Sequence, residues 1–156
     1  MRIALVARSI NPLAPQADPG FGAEAARVTS LGQALAGLDH RVTIYARRNS
    51  RGLPDSTIIA PGVTVEYLTA GPPDALDTDQ LAPHLPEFGH RLAQRWRRNP
   101  PSIAHAYQPA SRRIIMPSAP ALAQAGTRNW ANVLPGAGPG RPRATAHELD
   151  KADGSA

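Results

Sequence analysis

Ile3-Ala4-Leu5-Val6-Ala7 opens the chain as an unbroken apolar run, the pattern of a strand buried on both faces of a parallel sheet. The stretch from Asn11 to Gly22 is rich in Pro, Gly and Asp and predicts a loop. From Ala23 the period changes. Val28, Leu31, Leu35 and Leu38 recur three or four positions apart, which places them on one stripe of a helix. Ala25, Ala26, Ala34 and Ala36 favour the same helix and let it lie close to a sheet. Asp39-His40-Arg41 ends it, and Val42-Thr43-Ile44-Tyr45-Ala46 is β-branched and strand-like. Strand, helix and strand make one βαβ unit, with a right-handed crossover expected.

Val63 to Leu68 predicts a third strand, set off by Pro61-Gly62 before it and Gly71-Pro72-Pro73 after it. Leu81, Leu85, Phe88, Leu92 and Trp96 mark a second amphipathic helix, whose regular part Pro83 and Pro86 confine to about 87–98. Ile103 to Tyr107 reads as a fourth strand after the Asn99-Pro100-Pro101 break. The alternation predicts an α/β fold: an incomplete Rossmann-like parallel sheet, followed by a largely irregular tail. No sustained period is visible beyond Tyr107. Ile114-Ile115-Met116 is the one compact apolar cluster there, a weak helical pattern covers Pro120 to Gly126, and Gly136 to Arg143 has a disordered composition. Residues 1–107 are therefore read as one domain and residues 108–156 as a low-order tail.

Composition narrows the chemistry. Aromatic residues are only 4%, so the core must be built from Ala, Val, Leu and Ile. The formal charge is +5, which by itself fits nucleic acid, anionic lipid or phosphorylated ligands. Nearly all of that charge is arginine, with Lys151 the single lysine. Together with the Ala, Pro and Gly bias this reflects GC-rich coding, and no nucleic-acid partner is expected. There is no cysteine, which removes disulfides and thiolate metal sites. His84 and His90 lack a metal-binding spacing on a helix and have no carboxylate cluster beside them; no metal and no cofactor are expected. The opening apolar run is too short for a signal peptide. No stretch approaches the roughly 20 apolar residues of a membrane span, and a cytoplasmic location is expected.

An ordered set of pieces carries a resemblance. The opening MRIALVARSINP leads to DPGFGAEAARVTSLGQALAGLDHRVTIYARR, and PPSIAHAY closes the match. In this order and spacing, residues 1–107 resemble the N-terminal domain of the family 4 retaining glycosyltransferases, which have the GT-B fold. The resemblance implies an acceptor-side half-domain whose partners are a nucleotide-sugar and an acceptor hydroxyl. It also implies a second, donor-binding domain, which the sequence lacks and which a separate gene could encode. After HAY the family continues through a His/Tyr-Trp pair and a Gly-containing turn, whereas this chain reads Gln108-Pro109-Ala110-Ser111. That abrupt change is what out-of-frame translation of a truncated gene would produce, so the chain alone is expected to be inactive. Two smaller departures are Asp39, where the family usually carries Gly, and Ser102, where it more often carries Asp.

Candidate site residues follow from position. Gly20-Phe21-Gly22 precedes the first helix, where glycines admit a ligand to the main chain and a helix start offers unpaired N–H groups. The resemblance places that loop near the donor phosphates and the acceptor. Ser9 and Asn11 follow the first strand, and His105 and Tyr107 end the fourth. Open α/β sheets bind ligands at such carboxyl ends, though for His105 and Tyr107 a core role is preferred over catalysis. No catalytic residue is assigned. Gly20-x-Gly22-x-x-Ala25 also fits a dinucleotide fingerprint, but a long loop separates it from its strand. Arg47-Arg48 stand where a ribose-binding acid belongs, leaving an NADP site as a lesser alternative beside a non-catalytic binding module. Arg47 and Arg48 read as solvated strand-end arginines. Arg95, Arg97 and Arg98 read as solvated residues flanking a buried Trp96.

Overall fold

The computed structural model describes residues 1–8, 11–12 and 22–107, with the backbone of Asn129–Ala131. Its strands are β1 (Arg2–Val6), β2 (Arg41–Arg47), β3 (Ser56–Ala60), β4 (Val63–Leu68), β5 (Ile103–Ala106) and β6 (Asn129–Ala131). Its helices are α1 (Gly22–Ala36), α2 (Thr78–Leu81) and α3 (Leu85–Arg98), the last two joined by a 3₁₀ turn at Ala82–His84. The six strands lie in the order β3-β4-β2-β1-β5-β6. All neighbours are parallel except β3 and β4. The α/β fold and parallel core expected from the sequence are therefore present.

Alternation along each strand sends side chains to two cores. Ala4 and Val6 of β1 join Tyr45, Leu68, Ala104 and Ala106 against Phe88, Leu92 and Trp96 of α3. Ile3, Leu5 and Ala7 join Val42, Ile44, Val63 and Val65 against Ala25 and Val28 of α1. Each face is thus covered by one helix, which is why the central strands read as continuous apolar runs. Trp96 is fully buried and stands edge-on to Tyr45, with ring centroids 6.1 Å apart.

The structure corrects the sequence reading at three elements. β3 is an edge strand that the pattern did not reveal; Pro61-Gly62 is the turn of a β3–β4 hairpin, with Gly62 at φ +76°. The predicted stripe of α1 holds at Val28 and Leu35, which pack on the core, but not at Leu31 and Leu38. Leu31 is 36% exposed and Leu38 68% exposed, whereas Ala25, Val28 and Gly32 are buried. Small residues won because the helix lies flat on the sheet: a Cβ at Gly32 would stand 3.2 Å from a Val63 methyl. Third, Asn129–Ala131 pairs in parallel with β5, so a strand lies within the region read as irregular. The Ile114–Met116 cluster, the Pro120–Gly126 helix and the Gly136–Arg143 stretch fall outside the described residues.

The remaining boundaries follow local chemistry. Asp77 caps α2 by accepting from the Gln80 N–H at 2.8 Å, while the Gln80 side chain accepts from the Asp77 N–H at 3.1 Å. Pro83 and Pro86 sit in first-turn positions, where no N–H is needed, so α3 starts at Leu85. At the end of α1 the chain turns through Asp39 at φ +60°. The His40 N–H reaches the Leu35 carbonyl at 3.3 Å and the Asp39 N–H reaches that of Ala36 at 3.0 Å, the paired bonds of a left-handed helix stop.

Candidate functional site

β1 is central, with β2 on one side and β5 on the other. Successive connections therefore diverge at β1 and β5, and α1 and α3 cover opposite faces. In an open parallel sheet, the crevice beyond the carboxyl ends of two such strands is where ligands settle. Arg8 and Asn11 follow β1 there, and Tyr107 follows β5, its N–H donating to the Val6 carbonyl at 3.0 Å.

The start of α1 closes on the same place. Glu24, in its first turn, acts electrostatically on both Arg8 and Tyr107, and Arg27 acts on Tyr107. Gly22 is the first residue of α1 and is half-buried. Ser9, Gly20 and Phe21 lie outside the described residues. Tyr107 packs on the α1-side core, and burial pushes its phenol pKa up. His105 pairs in register with Leu5 and is half-buried one position before the strand end. Asn11 acts as a tie: its Oδ1 accepts from the Tyr67 hydroxyl at 2.8 Å, and its Nδ2 donates to the Asn49 Oδ1 at 3.4 Å. That ties the segment after β1 to the carboxyl ends of β2 and β4.

Arg8 is the residue sequence reasoning passed over. It is 8% exposed. Its Nε is sealed from solvent without a hydrogen-bond partner, and burial draws its pKa below the ordinary arginine value, Glu24 acting the other way. The available signal was a charge placed directly after the apolar run that ends at Ala7.

Arg47 corrects the expectation of a solvated strand-end arginine. It is 3% exposed and donates to the carbonyls of Ala70 at 3.3 Å, of Pro72 at 2.7 Å and of Asp74. Burial lowers its pKa, with Asp74 opposing. Arg48 donates to the Leu53 carbonyl and pairs with Asp55. Both guanidiniums are engaged by the chain itself, which removes the feature that favoured a 2′-phosphate there. On α3, Arg95, Arg97 and Arg98 are exposed around the buried Trp96, as the helical pattern indicated. With Arg91, Gln94, Asp55 and residues 67–69 they line an open cavity of about 610 Å³ on the flank of the domain. Arg95 lies 3.4 Å from Glu66, and Arg91 3.4 Å from Glu87.

A D-inositol 3-phosphate glycosyltransferase from Streptomyces coelicolor is 30% identical over 95 residues, covering 61% of this chain and 21% of that protein. One from Streptosporangium roseum is 34% identical over 87 residues, 56% of this chain and 20% of its own length. Over somewhat more than half of its length the chain is thus similar to D-inositol 3-phosphate glycosyltransferases, as the opening motifs led one to expect. Among solved structures, a sucrose-phosphate synthase from Thermosynechococcus elongatus superposes with a TM-score of 0.63 at 21% identity, over 84% of this chain and 32% of that one. This agrees with a GT-B half-domain fold. No family model matches. The chain spans about a fifth of the length of the curated relatives it matches.

Proposed function

We propose that these residues form the acceptor-side wall of a sugar-transfer cleft, the reaction being transfer of a sugar from a nucleotide-sugar donor to an acceptor hydroxyl. The observation that carries this is the convergence of the α1 start on the carboxyl ends of β1 and β5, where Glu24 acts on both Arg8 and Tyr107 and Arg27 acts on Tyr107. The family relation supplies the chemistry. The helix start and Arg8 provide positive potential for a phosphorylated substrate, and the inositol phosphate in the relatives' name makes a phosphorylated polyol the first acceptor to try. A donor-binding second wall must come from outside these residues, because one wall cannot shield the leaving diphosphate from water. A separately encoded donor domain would dock on this face of the sheet. The reading of residues 108–156 as out-of-frame coding is tested by the DNA after codon 107 in all three frames.

Titrating the labelled chain with a uridine diphosphate sugar, inositol phosphate and NADPH, and following backbone amides, tests the site. Shifts confined to the neighbourhood of Arg8, Asn11, the first turn of α1 and Tyr107 are expected, with NADPH the weakest ligand. Shifts at the amino ends of the strands, around Arg2 and Arg41, would overturn the assignment.

A further inference from the structure

We propose that the Arg8 guanidinium anchors a phosphate group at the carboxyl end of the sheet, between the first turn of α1 and the end of β5. This rests on the cleft reading above and adds a residue and a ligand chemistry to it. A guanidinium presents five N–H donors in a planar fork. With 8% exposure, its remaining contact with water is small. Among the described residues it makes no hydrogen bond, and Nε is both sealed and unpaired. Arginines that hold a fold together do not look like this: Arg47, buried to a similar degree, spends its nitrogens on three carbonyls. Leaving a buried charge without such partners is costly. The cost is recovered when an anion arrives, and a phosphate oxygen pair matches the fork bidentately.

The surroundings favour an anion of this kind. α1 is a 15-residue helix whose first-turn Glu24 acts on Arg8, and the positive end of the helix dipole adds to the same potential. Arg27 of the next turn acts on Tyr107 across the crevice. Among the described residues Glu24 is the carboxylate that acts on Arg8. Its influence is through space, with no ion pair between the two among the described residues. It offsets part of the Arg8 charge without occupying the guanidinium fork. The phosphate could belong to the donor's diphosphate or to a phosphorylated acceptor, and both present the same oxygens.

The test uses the whole chain. Uridine diphosphate and inositol phosphate are titrated separately into wild type, Arg8→Met, Arg8→Lys and Arg98→Gln, a surface arginine of α3 serving as control. Whichever phosphate binds is expected to lose about 10-fold or more in affinity in Arg8→Met. Arg8→Lys should lose less and Arg98→Gln should be unchanged. Response to uridine diphosphate alone assigns the donor; response to inositol phosphate alone assigns the acceptor. In the free chain Arg8→Met is expected to melt at the same or a higher temperature, since an unpaired buried charge has been removed. The Arg8 Nε–H resonance of wild type should move on titration, a readout that does not depend on any variant folding. Binding within two-fold of wild type in Arg8→Met, or an unmoved Nε–H resonance, overturns the role of Arg8 and leaves the cleft reading standing. So does a lowered melting point matched by Glu24→Gln with binding retained, which makes Arg8 a structural partner of Glu24. If wild type binds neither phosphate, the cleft reading falls and this proposal with it.

Discussion

Asp39 holds φ +60° at the stop of α1, in the left-handed region where a Cβ is crowded. Its carboxylate also sits at the negative end of the helix. Both effects disappear in Asp39→Gly, and the greater freedom of the unfolded glycine chain offsets only part of the gain. The variant is expected to be more stable by about 1 kcal/mol, seen as a melting point several degrees higher. Asp39→Asn should fall between. Tyr45 makes a second prediction at this scale. Burial first, and then Glu66, push its phenol up to about 12 from an ordinary value of 10.0. The folded chain therefore keeps a proton that the unfolded chain gives up. This contribution is whole below pH 10 and is lost as pH rises from 10 to about 12, at about 1.4 kcal/mol per pH unit. Urea unfolding across that window should show the slope in wild type and a shallower one in Tyr45→Phe.

Among the elements, the loop after β4 is held more firmly than its Gly-Pro-Pro sequence suggests. Arg47 of β2 grips the carbonyls of Ala70, Pro72 and Asp74 from beneath. From α3, the Glu87 carboxylate accepts from the Gly71 N–H at 3.0 Å, which holds its pKa below the usual carboxylate value. Gly71 itself stands at φ +69° under the His84 ring, where a Cβ would approach to 2.5 Å. Arg47→Ala leaves three carbonyls without their donor and is expected to cost about 3 kcal/mol, with Arg47→Lys recovering only part. Denaturant titration with matched slopes would check it; a loss within about 0.5 kcal/mol, the scatter of surface substitutions, would contradict the brace. None of this was legible beforehand, because the carbonyls that bury Arg47 belong to residues far along the chain. What local pattern can encode was legible: the apolar runs of β1, β2, β4 and β5, and the stripe from Phe88 through Leu92 to Trp96. β3 escaped because Ser56 to Ala60 is short, lies at the sheet edge and gains its pairing only from the hairpin. Part of the face of α1 escaped, because the closeness of the sheet selected Gly32 over Leu31. At the candidate site, position nominated Asn11, Gly22, His105 and Tyr107 but passed over Arg8, whose proposed role rests on burial and on an unpaired Nε that a linear pattern does not display.

For the molecule as a whole, the proposed function makes the described residues one side of a crevice. Transfer chemistry needs charge stabilisation and dryness from both sides. The purified chain is therefore expected to release no sugar from any nucleotide-sugar donor, by a coupled assay of nucleotide diphosphate release. Addition of a donor-binding domain should restore turnover if the proposed role is right, and turnover by the chain alone would refute it. The placement of β1 carries one more consequence. It is sandwiched between β2 and β5, so one flank closes locally while the other must wait for Ile103–Ala106 to emerge from the ribosome. Assembly along this route is nonlocal and slow. During synthesis the nascent polypeptide carries an open β1 flank across the whole of residues 7–102, the interval in which it is most vulnerable to capture by another chain.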